Sequence, residues 1–158
     1  MSKVIFLDCD GVVCTRRSYL AYDVPKKGRM WNAWDDVACA AIRESCKKGI
    51  ELVISSTWRL PMNEQELMQK LEQHGLIGFL RKPNWKTLDL AWDRDTIRGH
   101  EIARYLVDNP DIEDYRILDD VKQFLDSQVE HLIFTDVEEG MTGDNIRDLL
   151  RWSGVLKS

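Results

Sequence analysis

Two aspartates, Asp8 and Asp10, stand two residues apart where an apolar run ends, and Gly11 follows them. A carboxylate in that place can act as a nucleophile, and its neighbour can carry the proton of a leaving group. Gly11 allows a sharp turn that brings backbone N–H groups toward a bound anion. An acidic turn after a strand also arises by composition alone, so the D-x-D-G pattern gains meaning only from its surroundings. Ser55, with Ser56 beside it, follows a second apolar run. Asp119, with Asp120 beside it, follows a third, and Arg98 opens a helical pattern.

Those groups need elements that bring them together. Val4–Leu7 is a short, continuous apolar run of the kind buried on both faces of a parallel sheet. Glu51–Ser55, Tyr115–Asp119 and His131–Thr135 read the same way, and Ile77–Leu80 is a weaker strand candidate. Helices lie between them. One starts at Asp35 or Asp36 and ends by Gly49, with Ala38, Ala41, Ile42 and Ser45 on one face. A second starts at Asn63, with Glu66 completing a capping box and Leu67 and Leu71 as its apolar stripe. A third runs from Ile97 to Val107, and a last one from about Asp144 to Trp152. Strands alternating with helices predict a three-layer α/β fold around a mostly parallel sheet. In such a sheet ligands bind at the carboxyl edge, where Asp8, Ser55 and Asp119 all fall.

The 158 residues fit one domain, 1–158, with two aromatic and basic segments, 15–34 and 81–95, left over as candidate lids. Both are too short for a large cap domain, which predicts an open site. No apolar stretch approaches the length of a bilayer span, and the N-terminus lacks a signal-peptide layout, so the expected location is cytoplasmic. A net charge of −5 argues against a broad duplex-binding face, while leaving room for a small basic pocket. The four cysteines, Cys9, Cys14, Cys39 and Cys46, match no zinc-ligand spacing and are expected to be reduced thiols.

The ordered set of motifs resembles the haloacid dehalogenase-like superfamily of phosphohydrolases over nearly the whole chain. Ile5–Val13 is similar to that family's first signature, an apolar strand followed by D-x-D-G-V; the resemblance implies Asp8 as nucleophile and Asp10 as general acid/base. The second aspartate belongs to the phosphoryl-transferring members and not to the carbon–halogen cleaving branch. Leu52–Ser55 is similar to the second signature, implying that the Ser55 hydroxyl binds phosphate, with Ser56 as the adjacent alternative. Arg98 stands where the family more often has lysine, and Lys86 and Arg94 are alternatives for that charge. Ile117–Asp120 is similar to the fourth signature. It implies a Mg²⁺ held by Asp8, Asp119 and the backbone carbonyl of Asp10, with Asp120 tuning the site or holding a metal-bound water.

A closer resemblance rests on Ile54–Arg59, Arg98–Ile102, Ile117–Asp120 and Gly140–Thr142. These look like the HAD domain of Swiss Army Knife RNA repair proteins, which implies a nucleotide or single-stranded nucleic-acid end as the phosphorylated substrate. Arg59 could then reach a phosphate, and Trp58 could stack on a base or pack in the core. Two other readings stand beside this one: a small-metabolite phosphomonoesterase and a non-catalytic phosphate-binding domain.

Overall fold

Strand β1 (Ser2–Leu7) lies inside a parallel sheet, flanked by β2 (Glu51–Ile54) and β3 (Ile112–Asp119), with β4 (Leu132–Phe134) beyond β3. The structure is a computed structural model that describes residues 2–21, 33–90 and 97–157. Its helices are α1 (Arg16–Ala21), α2 (Asp36–Cys46), α3 (Glu64–Gln73), α4 (Arg98–Asp108) and α5 (Gly143–Trp152).

The two-residue period of β1 explains the layers. Ile5 and Leu7 join one buried cluster with Ile42 of α2, Leu67 and Leu71 of α3 and Leu149 of α5. Val4 and Phe6 join the opposite cluster, with Ile102 and Tyr105 of α4. Both faces of the strand are therefore covered, which is why it reads as an unbroken apolar run. Fully burying each such aliphatic side chain contributes about 1.5–3 kcal/mol. The expected three-layer α/β architecture is the one observed.

Several local expectations give way to other physics. Ile77–Phe79 is a 3₁₀ turn, and only Leu80 reaches the sheet, through a parallel bridge to Leu52. A four-residue apolar run cannot by itself distinguish a strand from a turn of helix. The described part of the 81–95 segment lies along the outer edge of β2. Arg81 N donates to Leu52 O at 2.9 Å, Ile54 N to Trp85 O at 2.8 Å, and Thr87 N to Ile54 O at 3.1 Å. This stretch satisfies an edge that would otherwise expose unpaired backbone groups, so at least residues 81–87 are sheet border. Within the 15–34 segment, α1 occupies the start and Trp34 is buried in the core. Residues 22–32 and 91–96, with Trp31, Trp92 and Arg94 among them, lie outside the described residues.

Helix starts are also mixed. Asp35 caps α2 as expected, its carboxylate accepting from Val37 N at 2.8 Å. Asn63 precedes α3, but its side chain donates to Thr57 O instead of capping. The capping box sits at α5, where Thr142 and Asn145 bond reciprocally. All four cysteines are free and buried, and burial pushes the Cys46 thiol up to about 12. Among the described residues, no helix is long and apolar enough to cross a membrane.

His74, just after α3, stacks on Trp34 with ring centroids 5.8 Å apart. Burial lowers its pKa below the ordinary value, outweighing Asp36 at 3.4 Å, which works in the opposite direction. A depressed folded-state value means that the unfolded chain takes up the proton first as pH falls. The stability contributed by the neutral ring is present above about pH 6.5 and is lost as pH falls through the folded value. His74→Asn should flatten that part of the profile of melting temperature against pH, measured between about pH 5 and pH 7.5.

Candidate active site

The strand order places β1 between β2, which follows it in sequence, and β3, which returns on its other side. The chain thus reverses direction across the sheet between β1 and β3, and the crevice at the carboxyl ends of that pair is where α/β sheets bind ligands. Asp8 follows β1, and Asp119 ends β3. Asp8 N donates to Leu118 O at 3.0 Å and Ser55 N to Leu7 O at 3.0 Å, so the ladder continues one residue past the strands and fixes these positions.

Asp8, Asp119 and Asp120 bring carboxylate oxygens within 4.8 Å of one another. Arg98, the first residue of α4, sits against two of them: its Nη1 is 2.6 Å from Asp119 Oδ2 and 3.3 Å from Asp8 Oδ2. Burial lifts the Asp8 carboxyl well above the usual carboxylate range; Asp119 adds to the rise and Arg98 opposes it. Burial also raises Asp119, again against Arg98. On Arg98, burial works against the charge, but Asp8 and Asp119 outweigh it and hold the guanidinium above its ordinary value. One guanidinium facing three carboxylates leaves an excess of negative charge in a mostly buried place. Three hard oxygen donors that close together suit a divalent cation of the magnesium type.

Arg98 is held from behind. Gln128 Nε2 donates to Gly99 O at 2.9 Å, and Gly99 N donates to Gln123 O at 2.9 Å. A β-carbon on Gly99 would lie 2.6 Å from Gln128 Oε1 and 2.9 Å from Leu125 N, so the loop after β3 can clamp this helix start only because the residue is glycine. Thr135, just past β4, donates its hydroxyl to Gly11 O at 2.7 Å and so pins the turn after β1. Sequence reasoning missed Gln128 and Thr135; for Thr135 the signal was present, since it too is a polar residue closing a strand run.

Gly11 has φ of 80°, and a β-carbon there would lie 2.2 Å from Asp120 Oδ2. Gly11→Ala is therefore expected to cost about 1–2 kcal/mol for the left-handed backbone, plus the displacement of Asp120. Urea unfolding of the variant measures it.

The second strand end supplies a different group. The Ser55 hydroxyl is fully buried and has no hydrogen-bond partner among the described residues. An unsatisfied buried hydroxyl is costly and calls for an explanation, such as a ligand. Ser56 is differently employed: its Oγ accepts from Trp58 N at 3.2 Å, capping the 3₁₀ turn Thr57–Arg59. Burial orphans Ser55 and occupies Ser56, which separates the two adjacent candidates.

Trp58 packs in the core, one of the two readings the sequence left open, and Arg59 is engaged mainly inside the protein. Trp58 is wholly buried, packed edge-on to Trp34 at 5.7 Å, and its Nε1–H donates to Asp10 Oδ1 at 3.1 Å. Arg59 is also buried. Its guanidinium donates to Thr87 O, to the carbonyls of Ser55 and Ser56, and to Glu101 Oε2 at 2.8 Å. It ties the loop after β2 to the border segment and to α4. Only part of it reaches a cavity of about 220 Å³ beside Arg98, which is also lined by Thr57, Leu60, Asp89 and Gln123.

Asp10 is half-buried, and its carboxylate turns away from the acidic trio toward Trp58 and Cys14. Asp120 takes the third place in the trio, and Asp10 has only its backbone carbonyl to offer a cation there. Of the other sequence candidates for the phosphate charge, Lys86 lies 4.8 Å over the Trp85 ring and 4.0 Å from Glu64. Arg94, the second of them, lies outside the described residues.

A family model for the HAD domain in Swiss Army Knife RNA repair proteins matches residues 4–146. No curated protein and no solved structure matches the chain. The chain belongs to that family, and with it come a phosphatase-type hydrolase activity and a phosphorylated substrate.

Proposed function

We propose that this HAD domain is a Mg²⁺-dependent phosphohydrolase that passes the phosphoryl group through Asp8. The observation that carries this reading is the convergence of Asp8, Asp119, Asp120 and Arg98 at the switch point of the sheet. Asp8, Asp119 and Asp120, with the backbone carbonyl of Asp10, are the groups that would hold the cation. When bound, it neutralises the carboxylates and the substrate phosphate, which would otherwise repel one another.

The chain's own residues do the rest. An Asp8 carboxylate oxygen attacks phosphorus, and the bond from phosphorus to the substrate oxygen breaks. Asp10 delivers its proton to the departing oxygen, releasing an alcohol and leaving Asp8 phosphorylated. Asp10, now a carboxylate, takes a proton from water as that water attacks the phosphorus, which frees phosphate and restores Asp8. Arg98 stabilises the negative charge spread over the phosphoryl oxygens, and the Ser55 hydroxyl donates to one of them.

The family's place in RNA repair proteins supports a nucleotide or single-stranded nucleic-acid end as substrate. The cavity beside Arg98 can take the group attached to the phosphate. Base recognition by Trp58 and phosphate contact by Arg59 are not part of this proposal, since both side chains are engaged internally.

Hydrolysis of an aryl phosphate with Mg²⁺ and with EDTA tests the chemistry. Release that needs the metal supports it; equal release in EDTA, or none in either, contradicts it. A terminally phosphorylated oligonucleotide compared with the free mononucleotide tests the substrate. Higher kcat/KM on the oligonucleotide supports polynucleotide ends, and the reverse favours small phosphomonoesters.

A further inference from the structure

Trp58 makes an unusual contact for a core residue. Its ring is wholly buried and fixed against Trp34, itself buried, yet its one polar atom points out of the core to a carboxylate of the site. An indole N–H can only donate. The Cys14 thiol reaches the same oxygen, with Sγ 3.2 Å from Asp10 Oδ1. Oδ1 of Asp10 is thus saturated by two donors. Among the described residues no hydrogen bond to Oδ2 is present.

We propose that Trp58 is a positioning residue for proton transfer: with Cys14 it fixes Asp10 Oδ1 as an acceptor, so that Oδ2 alone carries the proton to the leaving group. The inference rests on the acid/base role given to Asp10 above and adds which oxygen acts and what orients it. A protonated carboxyl must choose the oxygen that bears its hydrogen, and two donors aimed at Oδ1 exclude that oxygen. Asp10 is only half-buried and follows the strand by three residues. Without an anchor its carboxylate could rotate about its own bonds and present either oxygen, or neither, to the substrate. A rigid indole packed in the core removes that freedom more completely than a surface donor could. Ser56 caps the 3₁₀ turn Thr57–Arg59 that carries and aims this indole.

The role predicts a signature that packing alone would not. An alkyl phosphate has a poor leaving group and needs the proton as the bond breaks, whereas p-nitrophenolate departs without it. The quantity to measure is kcat/KM, which covers the steps up to leaving-group departure, for a 5′-mononucleotide and for p-nitrophenyl phosphate in saturating Mg²⁺. Trp58→Phe keeps most of the ring and removes the donor. Its kcat/KM on the mononucleotide should fall by roughly ten- to a hundredfold, within what a general acid supplies, and stay within about threefold on the aryl ester. Equal losses on both substrates, or no loss on either, overturn the proposal. If thermal melting shows that Trp58→Phe fails to fold, Cys14→Ala carries the test, with a smaller loss again confined to the mononucleotide; a loss shared by the aryl ester, or none, overturns it. A wild-type chain inactive on both substrates overturns instead the phosphatase reading beneath it.

Discussion

Asp8→Asn is expected to abolish phosphate release while leaving the metal-free fold at least as stable as before. The loss of rate should be on the order of 10⁴–10⁶, as when other enzymes lose their nucleophile. The amide cannot attack phosphorus, and no neighbour replaces it: Asp119 is held by Arg98 at 2.6 Å and by Val121 N at 3.1 Å. The stability half follows from electrostatics. Burial, with Asp119 adding to it, raises the Asp8 carboxyl in the folded protein, so the folded chain holds this proton more tightly than the unfolded chain. Stability then declines as pH rises from the unfolded value, near about 4, through the raised folded value. An uncharged amide carries no such penalty, and Arg98 keeps its closer partner. Melting in EDTA at about pH 8 should therefore give the variant a melting temperature equal to or above that of the wild type. A variant that loses activity because it unfolds would contradict this reading of the site.

Arg59→Ala is expected to do the opposite, destabilising the fold by about 3–5 kcal/mol, the usual cost of leaving one member of a buried ion pair alone. Glu101 would keep a buried carboxylate with only Leu90 N, at 3.0 Å, as a partner among the described residues. The carbonyls of Ser55, Ser56 and Thr87 would lose their shared donor. Arg59→Lys should recover only part of the loss, because an ammonium cannot fork across three segments. Urea unfolding decides the matter. Had Arg59 served as a substrate contact, the alanine variant would fold normally and show a raised KM instead.

The contrast between these two residues marks how far the sequence could be read. Strand ends were legible because a parallel sheet buries its strands on both faces. Val4–Leu7 and Leu52–Ile54 therefore stand out as unbroken apolar runs, and the polar residue that ends each run is forced to the carboxyl edge. Asp8, Ser55 and Asp119 were found that way, Arg98 as the basic residue opening a helical pattern, and the resemblance gave them roles. The facing of side chains past the strand ends was not legible. Ser55 and Ser56, or Asp10 and Asp120, are equivalent as residue types; only burial and neighbours separate the orphaned hydroxyl from the capping one and the acidic trio from the carboxylate turned to Trp58. A tryptophan followed by an arginine suggests nucleic-acid contact by chemistry, yet both are large groups that gain most by burial once partners are supplied. The border of the sheet at residues 80–87 was hidden for another reason. An edge segment with Pro83 and charged residues has no apolar alternation to reveal it.

Covalent capture of the phosphoryl group tests the central claim most directly. The protein would be mixed with p-nitrophenyl phosphate and Mg²⁺, quenched in acid during turnover, reduced with borohydride and digested for peptide mass spectrometry. An acyl phosphate at Asp8 is reduced to homoserine at that position, and the account predicts that conversion there, dependent on substrate and absent in EDTA. Steady phosphate release with Asp8 unmodified, or with the mark on Asp10 or Asp119 instead, would contradict it.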